Sequence, residues 1–117
     1  MQPETKFHER LKNLMDAYVN QVYDVTKQFP KDEIFGITSQ YRRAALSIML
    51  NYIEGYARQR KLVLKNFLEI SYGSAQETKY LTYFAHRRGY LQDKEYQELL
   101  SLIDEISKML WGVVSKL

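Results

Sequence analysis

Cysteine is missing from the 117-residue sequence. Its absence excludes disulfide bonds, thiolate metal ligands and thiol nucleophiles, and it fits a reducing cytosol. No uncharged apolar run is long enough to span a membrane. The first residues, MQPETKFHER, include acidic residues and no apolar segment typical of a signal peptide. We therefore expect a cytoplasmic protein without a membrane partner.

The sequence also has none of the short motifs that carry common chemistries. No Glu-x-x-His pair of the di-metal bundle type is present. His8-Glu9 is followed by Arg-Leu-Lys, so the zinc-protease pattern fails, and neither phosphate-binding glycine loop occurs. We expect no metal, no cofactor, no catalytic residue and no enzymatic activity.

Positive charge is concentrated in the middle of the chain. The formal net charge is +3, but residues 38–90 contain nine Lys and Arg residues and only three acidic ones. Such a segment can attract a polyanion, and the tyrosines interleaved with it could stack on bases. The predicted nucleic-acid contacts are Arg42, Arg60, Lys61, Lys65, Lys79, Arg87 and Arg88. The alternative is that these cations and tyrosines only cover wet helix faces.

Apolar residues recur at spacings of three and four through most of the chain, and no alternating strand pattern competes. The pattern predicts an all-α fold, an up-down-up-down antiparallel four-helix bundle forming one domain over residues 1–117. The predicted helices cover about residues 6–29, 38–60, 62–88 and 93–117.

Capping residues define most of the predicted helix ends. Thr5 is suited to cap the first helix, Thr38 or Ser39 the second, and Asp93 the fourth. Pro30 should end the first helix. The apolar residues of the following connection should pack against the end of the bundle; they are Ile34, Phe35 and Ile37. Gly73 is expected at a helix contact inside an unbroken third helix.

The second helix has two apolar stripes where a surface helix needs one. The first contains Ala44, Ala45, Ile48, Met49, Tyr52 and Tyr56, and the second contains Leu46, Leu50, Ile53 and Ala57. Either this helix is central in the bundle, or its second stripe is an oligomer interface.

A narrow polar strip separates these stripes; it consists of Arg43, Ser47, Asn51, Glu54 and Arg58. It could be a groove for a charged ligand. We favour a structural role, a buried polar network that fixes the register of the helix.

The series TSQ-x-RRA-x-x-SI-x-x-N-x-x-EG, from Thr38 to Gly55, supports a family resemblance. FPKDE and Gly36-Ile37 before it and Arg58 after it also match, and the later matches, Phe67-Leu68, Gly73-Ser74 and Glu77, are weaker. The chain resembles the four-helix-bundle proteins encoded in intervening sequences of bacterial 23S ribosomal RNA genes. The accessory variability determinant of diversity-generating retroelements is a related member. Met49 stands where the family usually has proline, and Ile53 where it usually has a small alanine.

The resemblance implies a homo-oligomer, typically a pentameric barrel of bundles, with no enzymatic activity and with RNA or DNA as a partner. The retroelement member works with a reverse transcriptase. The leading hypothesis is therefore a nucleic-acid-binding homo-oligomer. The alternative is a protein–protein scaffold or accessory subunit that does not itself bind nucleic acid.

Overall fold

Four α-helices and one short 3-10 turn make up a computed structural model that describes residues 5–117. This part of the chain contains no strand, and the predicted all-α class is confirmed. No helix within it is long and apolar enough to cross a bilayer. The helices are α1 (Lys6–Thr26), α2 (Ile37–Ala57), α3 (Lys61–Arg87) and α4 (Asp93–Val114), with the 3-10 turn at Lys31–Glu33.

The helices form an antiparallel four-helix bundle, as predicted. Each helix packs against the next one along the chain, and α1 closes the ring against α4. Within residues 5–117, no Cα atoms of the diagonal pairs α1–α3 and α2–α4 approach within 8 Å. The bundle measures 42 × 25 × 19 Å. Because neighbouring helices run in opposite directions, the α2–α3 connection lies at one end, and the other two connections lie at the opposite end.

The helix ends agree with the sequence only in part. Thr5 caps α1 as predicted, since its Oγ1 accepts a hydrogen bond of 3.3 Å from the His8 N–H. The helix stops at Thr26 rather than Phe29, and the last residues before Pro30 form a turn. This turn brings Phe29 into the core, where its ring lies 5.4 Å from that of Tyr90.

Two other predicted caps are wrong. The second helix begins at Ile37 after Gly36, and Thr38 is buried inside the first turn, where it cannot act as a cap. Gln92 precedes α4, and its N–H donates to the Glu95 carboxylate over 2.9 Å, so Asp93 is already helical. The second helix therefore starts two or three residues earlier, and the fourth helix one residue earlier, than the predicted caps indicated.

The connection between α1 and α2 also differs from the prediction. Ile37 is buried, but the side chains of Ile34 and Phe35 are 49% and 95% exposed. The 3-10 turn directs these two side chains outward from the bundle end. The bundle end is filled instead by Phe29 and Leu91, which are both buried.

A hydroxyl network lies in the middle of the core. Thr82 Oγ1 donates to the Thr78 carbonyl over 2.7 Å, so its lone pairs accept from the hydroxyls of Tyr18 and Tyr41. Burial raises the pKa of both phenols, which therefore stay neutral donors. The network joins α1, α2 and α3 without leaving a buried polar group unsatisfied.

Helices α2 and α3 approach closely near the α2–α3 end. A Cβ atom on Gly55 would lie 3.0 Å from Phe67 Cβ and 3.1 Å from Leu64 Cδ1. Farther along, Ser71 Oγ donates to the Ile48 carbonyl over 2.6 Å. Gly73, by contrast, has nothing within 4 Å of a Cβ position, so the prediction that it is a helix contact is wrong, although α3 continues through it.

Candidate nucleic-acid interface

The connection between α2 and α3 is very short. Arg58 caps α2, Gln59 takes the left-handed conformation with φ of 62°, and Arg60 is extended before Lys61 starts α3. Glycine or asparagine usually occupies such a left-handed position after a helix. This turn places Arg60 and Lys61, both exposed, at the end of the bundle, with Lys65 one helical turn away.

Further cations reach this end from α1 and α4. The contact of His8 with Tyr52 shows that the first turn of α1 lies beside the last turns of α2. An apolar groove of about 440 Å³ separates the start of α1 from the end of α4, and Lys108 and Lys116 line it. The lysines that the topology adds are Lys6, Lys12, Lys108 and Lys116. Sequence analysis missed them because they belong to segments that are acidic or nearly neutral overall.

Carboxylates offset part of this charge, and Glu9 in the first turn of α1 is one of them. Glu54 pairs with Arg58 at 2.7 Å, and Glu105 pairs with Arg10 across the α1–α4 boundary. Within the described residues, Arg60, Lys61 and Lys65 form no ion pair. We call these three residues, together with the four lysines from α1 and α4, the basic end.

His8 lies at the same end of the bundle, and its surroundings change its pKa. Partial burial, and secondarily the charge of Lys12, lower the pKa of His8 from its ordinary value of 6.5. Its ring also packs edge-on against the Tyr56 ring at 5.4 Å. The positive charge of this end therefore comes from Lys and Arg rather than from His8.

The structure does not bring the seven predicted contacts together. Arg87 and Arg88 lie at the far end of α3, about 40 Å from Lys61 at 1.5 Å per residue. That end is rich in carboxylates, with Asp93 bound to His86 at 2.7 Å and Glu33 accepting from the Tyr90 hydroxyl at 2.8 Å. The prediction placed these cations in one basic surface, whereas the structure places Arg60, Lys61 and Lys65 at one end of the bundle and Arg87 and Arg88 at the other.

The remaining two predicted contacts are bonded to other residues of the bundle, Arg42 half-buried and Lys79 at the surface. Arg42 is half-buried; its Nε donates to Thr26 Oγ1 over 2.8 Å, and its guanidinium lies 4.8 Å from the centre of the Tyr23 ring. Lys79 forms an ion pair of 2.8 Å with Asp104 across the α3–α4 boundary. Both side chains have intramolecular partners for their charge.

The polar strip of α2 divides into a half-buried part and an exposed part. Asn51 Nδ2 donates to Ser47 Oγ over 2.9 Å, and Ser47 Oγ lies 2.8 Å from Ser74 Oγ of α3. Arg43 is exposed, and the Glu54–Arg58 pair is about half-exposed. The half-buried part joins α2 to α3. In the exposed part, the Glu54–Arg58 pair lies beside the basic end, and Arg43 lies in the first half of α2, away from it.

The second apolar stripe of α2 faces away from the core. Leu50 and Ile53 are 57% and 52% exposed, Ala57 is exposed and Leu46 is partly buried. The helix is therefore not central in its own bundle. A contiguous exposed stripe of this kind is a typical interaction surface.

A groove between α3 and α4 contains an aromatic pair that the sequence patterns did not single out. The rings of Tyr72 and Trp111 lie 5.6 Å apart at an angle of 44°. Lys79 and Lys108 line the same groove. No sequence signal links these residues, because the register between two helices is set by their packing.

Within residues 5–117, no three His, Asp or Glu side chains are grouped so that they could hold a metal ion. The geometry of this part of the chain is that of an all-α bundle with one strongly basic end and one exposed apolar stripe.

The comparisons assign the chain to a family. The model of the 23S rRNA-intervening sequence protein family matches residues 10–112, so the chain belongs to that family and its resemblance to the intervening-sequence proteins is confirmed. The relation to the retroelement member stays a prediction. A similar solved structure is a protein of unknown function from the S23 ribosomal protein family of Bacteroides thetaiotaomicron VPI-5482. It is 23% identical with a TM-score of 0.82, and the match covers 89% of this chain and 97% of the other. No curated protein sequence matches significantly. Neither description names an enzymatic activity.

Proposed function

We propose that this protein binds RNA or DNA through the basic end of the bundle. The observation that carries the proposal is the convergence of Arg60, Lys61 and Lys65 with lysines from α1 and α4, without carboxylate partners for these three in the described residues. Lys and Arg gain affinity for nucleic acids by neutralising phosphates and releasing counterions. The family description, which names a ribosomal RNA context, supports the same proposal.

The two groups of predicted cations provide a matched test. We expect the double variant Arg60→Ala/Lys61→Ala to bind RNA more weakly and to reduce the slope of log affinity against log salt by about 1 to 2. The control, Arg87→Ala/Arg88→Ala, removes the same charge from the opposite end and should leave affinity and slope close to native. Fluorescence anisotropy over a salt series measures both.

Two outcomes would contradict the proposal. One is equal weakening by both double variants, since only net charge would then matter. The other is native protein that binds neither RNA nor DNA at low salt, where phosphate contacts are strongest.

We further propose that the exposed stripe of α2 joins copies of this chain into a homo-oligomer, with a pentamer as the expected assembly. The exposure of Leu50 and Ile53 supports this proposal, because their burial between subunits would remove apolar surface from water. Such an assembly would also repeat the basic end around a ring, which multiplies weak phosphate contacts into a stronger overall affinity.

A protein–protein scaffold is the second candidate function, and the exposure of Ile34 and Phe35 favours it. In that case a protein partner, such as a reverse transcriptase, would contact the α1–α2 connection. This function would be supported over the first if a purified protein partner still binds after nuclease treatment and if Phe35→Ser abolishes that binding.

A further inference from the structure

The groove between α3 and α4 holds the only tryptophan of the chain. Trp111 projects from the last turns of α4 and is 54% exposed. Part of the indole rests on Tyr72 of α3, with ring centres 5.6 Å apart. The bundle therefore holds a large aromatic surface in place while leaving about half of it in contact with solvent.

The space beside Trp111 is a shallow cavity of about 230 Å³ with polar walls. Gln76 Nε2 donates to Ser107 Oγ over 3.1 Å, which leaves the Gln76 amide oxygen available as an acceptor. The Asp104 carboxylate in the same wall is neutralised by Lys79 at 2.8 Å. An aromatic floor with neighbouring hydrogen-bonding groups suits a flat, polar-edged ring.

Lysines lie along this groove on both sides of the Tyr72–Trp111 pair, with Lys65 on the side of the basic end. Lys65 precedes Tyr72 by seven residues, and Lys79 follows it by seven, so each lies two helical turns, about 10 Å, along the same edge of α3. Lys108 lies three residues before Trp111 on α4 and also lines the cavity. Among the described residues, Lys65 and Lys108 form no ion pair.

We propose that this groove binds single-stranded nucleic acid, with an unpaired base stacked on Trp111 and the adjoining phosphates contacting Lys65 and Lys108. Bases stack on exposed aromatic rings when they are not paired within a duplex, and the lysines neutralise the strand beside them. The inference rests on the proposed function and specifies its substrate class. A strand that leaves the groove past Lys65 reaches Lys61 and Arg60 at the basic end.

The single tryptophan makes the test direct, because all indole fluorescence reports on Trp111. We expect a short single-stranded oligonucleotide to quench this fluorescence. An abasic oligonucleotide of the same length and charge, and a duplex of the same sequence, should bind through phosphates without comparable quenching.

Substitution of the ring gives an independent readout. Trp111→Ala should lower the affinity for the single-stranded oligonucleotide about tenfold, the usual effect of one stacked base, and leave the salt slope near native. Trp111→Phe keeps a ring and should retain most of the affinity. Tyr80→Ala, which removes an exposed tyrosine from another face of α3, is the matched control.

Three results would overturn the inference. They are native single-strand affinity in Trp111→Ala, equal quenching by the abasic oligonucleotide, and fluorescence that changes with protein concentration rather than with nucleic acid, which would place Trp111 between copies. If circular dichroism shows that Trp111→Ala does not fold, the inference is tested by comparing how strongly the single-stranded and the abasic oligonucleotide quench the fluorescence of native protein. Weak binding in Arg60→Ala/Lys61→Ala together with native binding in Trp111→Ala would refute stacking and leave the proposed function intact.

Discussion

The pKa of His8 depends on the residues that surround its ring in the bundle. Its ring is hydrogen-bonded to the Tyr52 hydroxyl, packs against Tyr56 and lies near the charge of Lys12. Burial and then Lys12 lower the pKa of His8, so the folded protein favours the neutral imidazole. The unfolded chain binds this proton more readily. As the pH falls through the ordinary value of 6.5, protonation of His8 therefore favours unfolding.

We expect the free energy of unfolding to decrease as the pH falls from above 6.5 toward the lowered pKa of His8. In His8→Gln, which cannot be protonated, the part of this slope that comes from His8 should disappear. Urea unfolding followed by circular dichroism over this pH range measures both proteins. Identical pH slopes in the two proteins would show that His8 titrates alike in the folded and unfolded states.

The end of α2 was difficult to predict from the sequence because of a single residue, Gln59. A glycine or asparagine after a helix indicates its end, but here the left-handed position is occupied by Gln59. The sequence therefore predicted the α2–α3 boundary only approximately. The backbone adopts this conformation because the antiparallel packing of α2 and α3 requires a tight turn between them.

At the scale of the helices, two glycines have different surroundings: Gly55 lies at a close contact between helices, and Gly73 lies on an open surface. Gly55 lies where α2 meets Phe67 and Leu64 of α3, and an added methyl group would be within about 3 Å of both. Gly73 lies on the outer side of α3 with open space around it. The same substitution should therefore have opposite effects at these two positions.

We expect Gly55→Ala to destabilise the protein by about 1 to 2 kcal/mol, since the strain of overpacking exceeds the gain in helix propensity. Gly73→Ala should stabilise it by about 0.5 to 1 kcal/mol, because only the propensity changes. Urea unfolding of both variants measures the difference. A Gly55→Ala protein as stable as Gly73→Ala would mean that the two helices can separate at little cost.

Helix periodicity was sufficient to predict the four elements, because buried residues recur at helical spacing in each of them. Most of these side chains in α1, α2 and α4 are apolar, such as Leu11, Ile48 and Leu110, whereas α3 also buries serines and threonines. The site was less predictable. The basic end combines Lys6 and Lys116, which are distant in sequence and lie in segments without excess positive charge. Only the antiparallel arrangement of the helices brings them to the same end of the bundle as Lys61.

At the scale of the whole molecule, the exposed stripe of α2 determines the expected assembly. We predict that Leu50→Glu/Ile53→Glu will sediment as a monomer, because charges cannot be buried unpaired between subunits. Ser101→Glu places a new charge on the exposed surface of α4, the helix diagonal to α2, and should keep the native sedimentation coefficient. Analytical ultracentrifugation at micromolar concentration measures all three proteins.

The far-ultraviolet spectrum of the double variant should remain helical, which separates loss of assembly from loss of fold. A native protein that sediments as a single subunit would contradict the proposal of a homo-oligomer. Binding of nucleic acid through one basic end would still be testable in that case.

The length of α3 fixes the distance between the two cationic groups of one subunit. Its 27 residues correspond to about 40 Å, which equals the rise of about 12 base pairs of duplex. Within one subunit, a shorter duplex can touch Lys61 or Arg88 but not both. In the proposed complex, the shortest duplex whose affinity falls with Arg87→Ala/Arg88→Ala would therefore measure how the nucleic acid lies along the bundle.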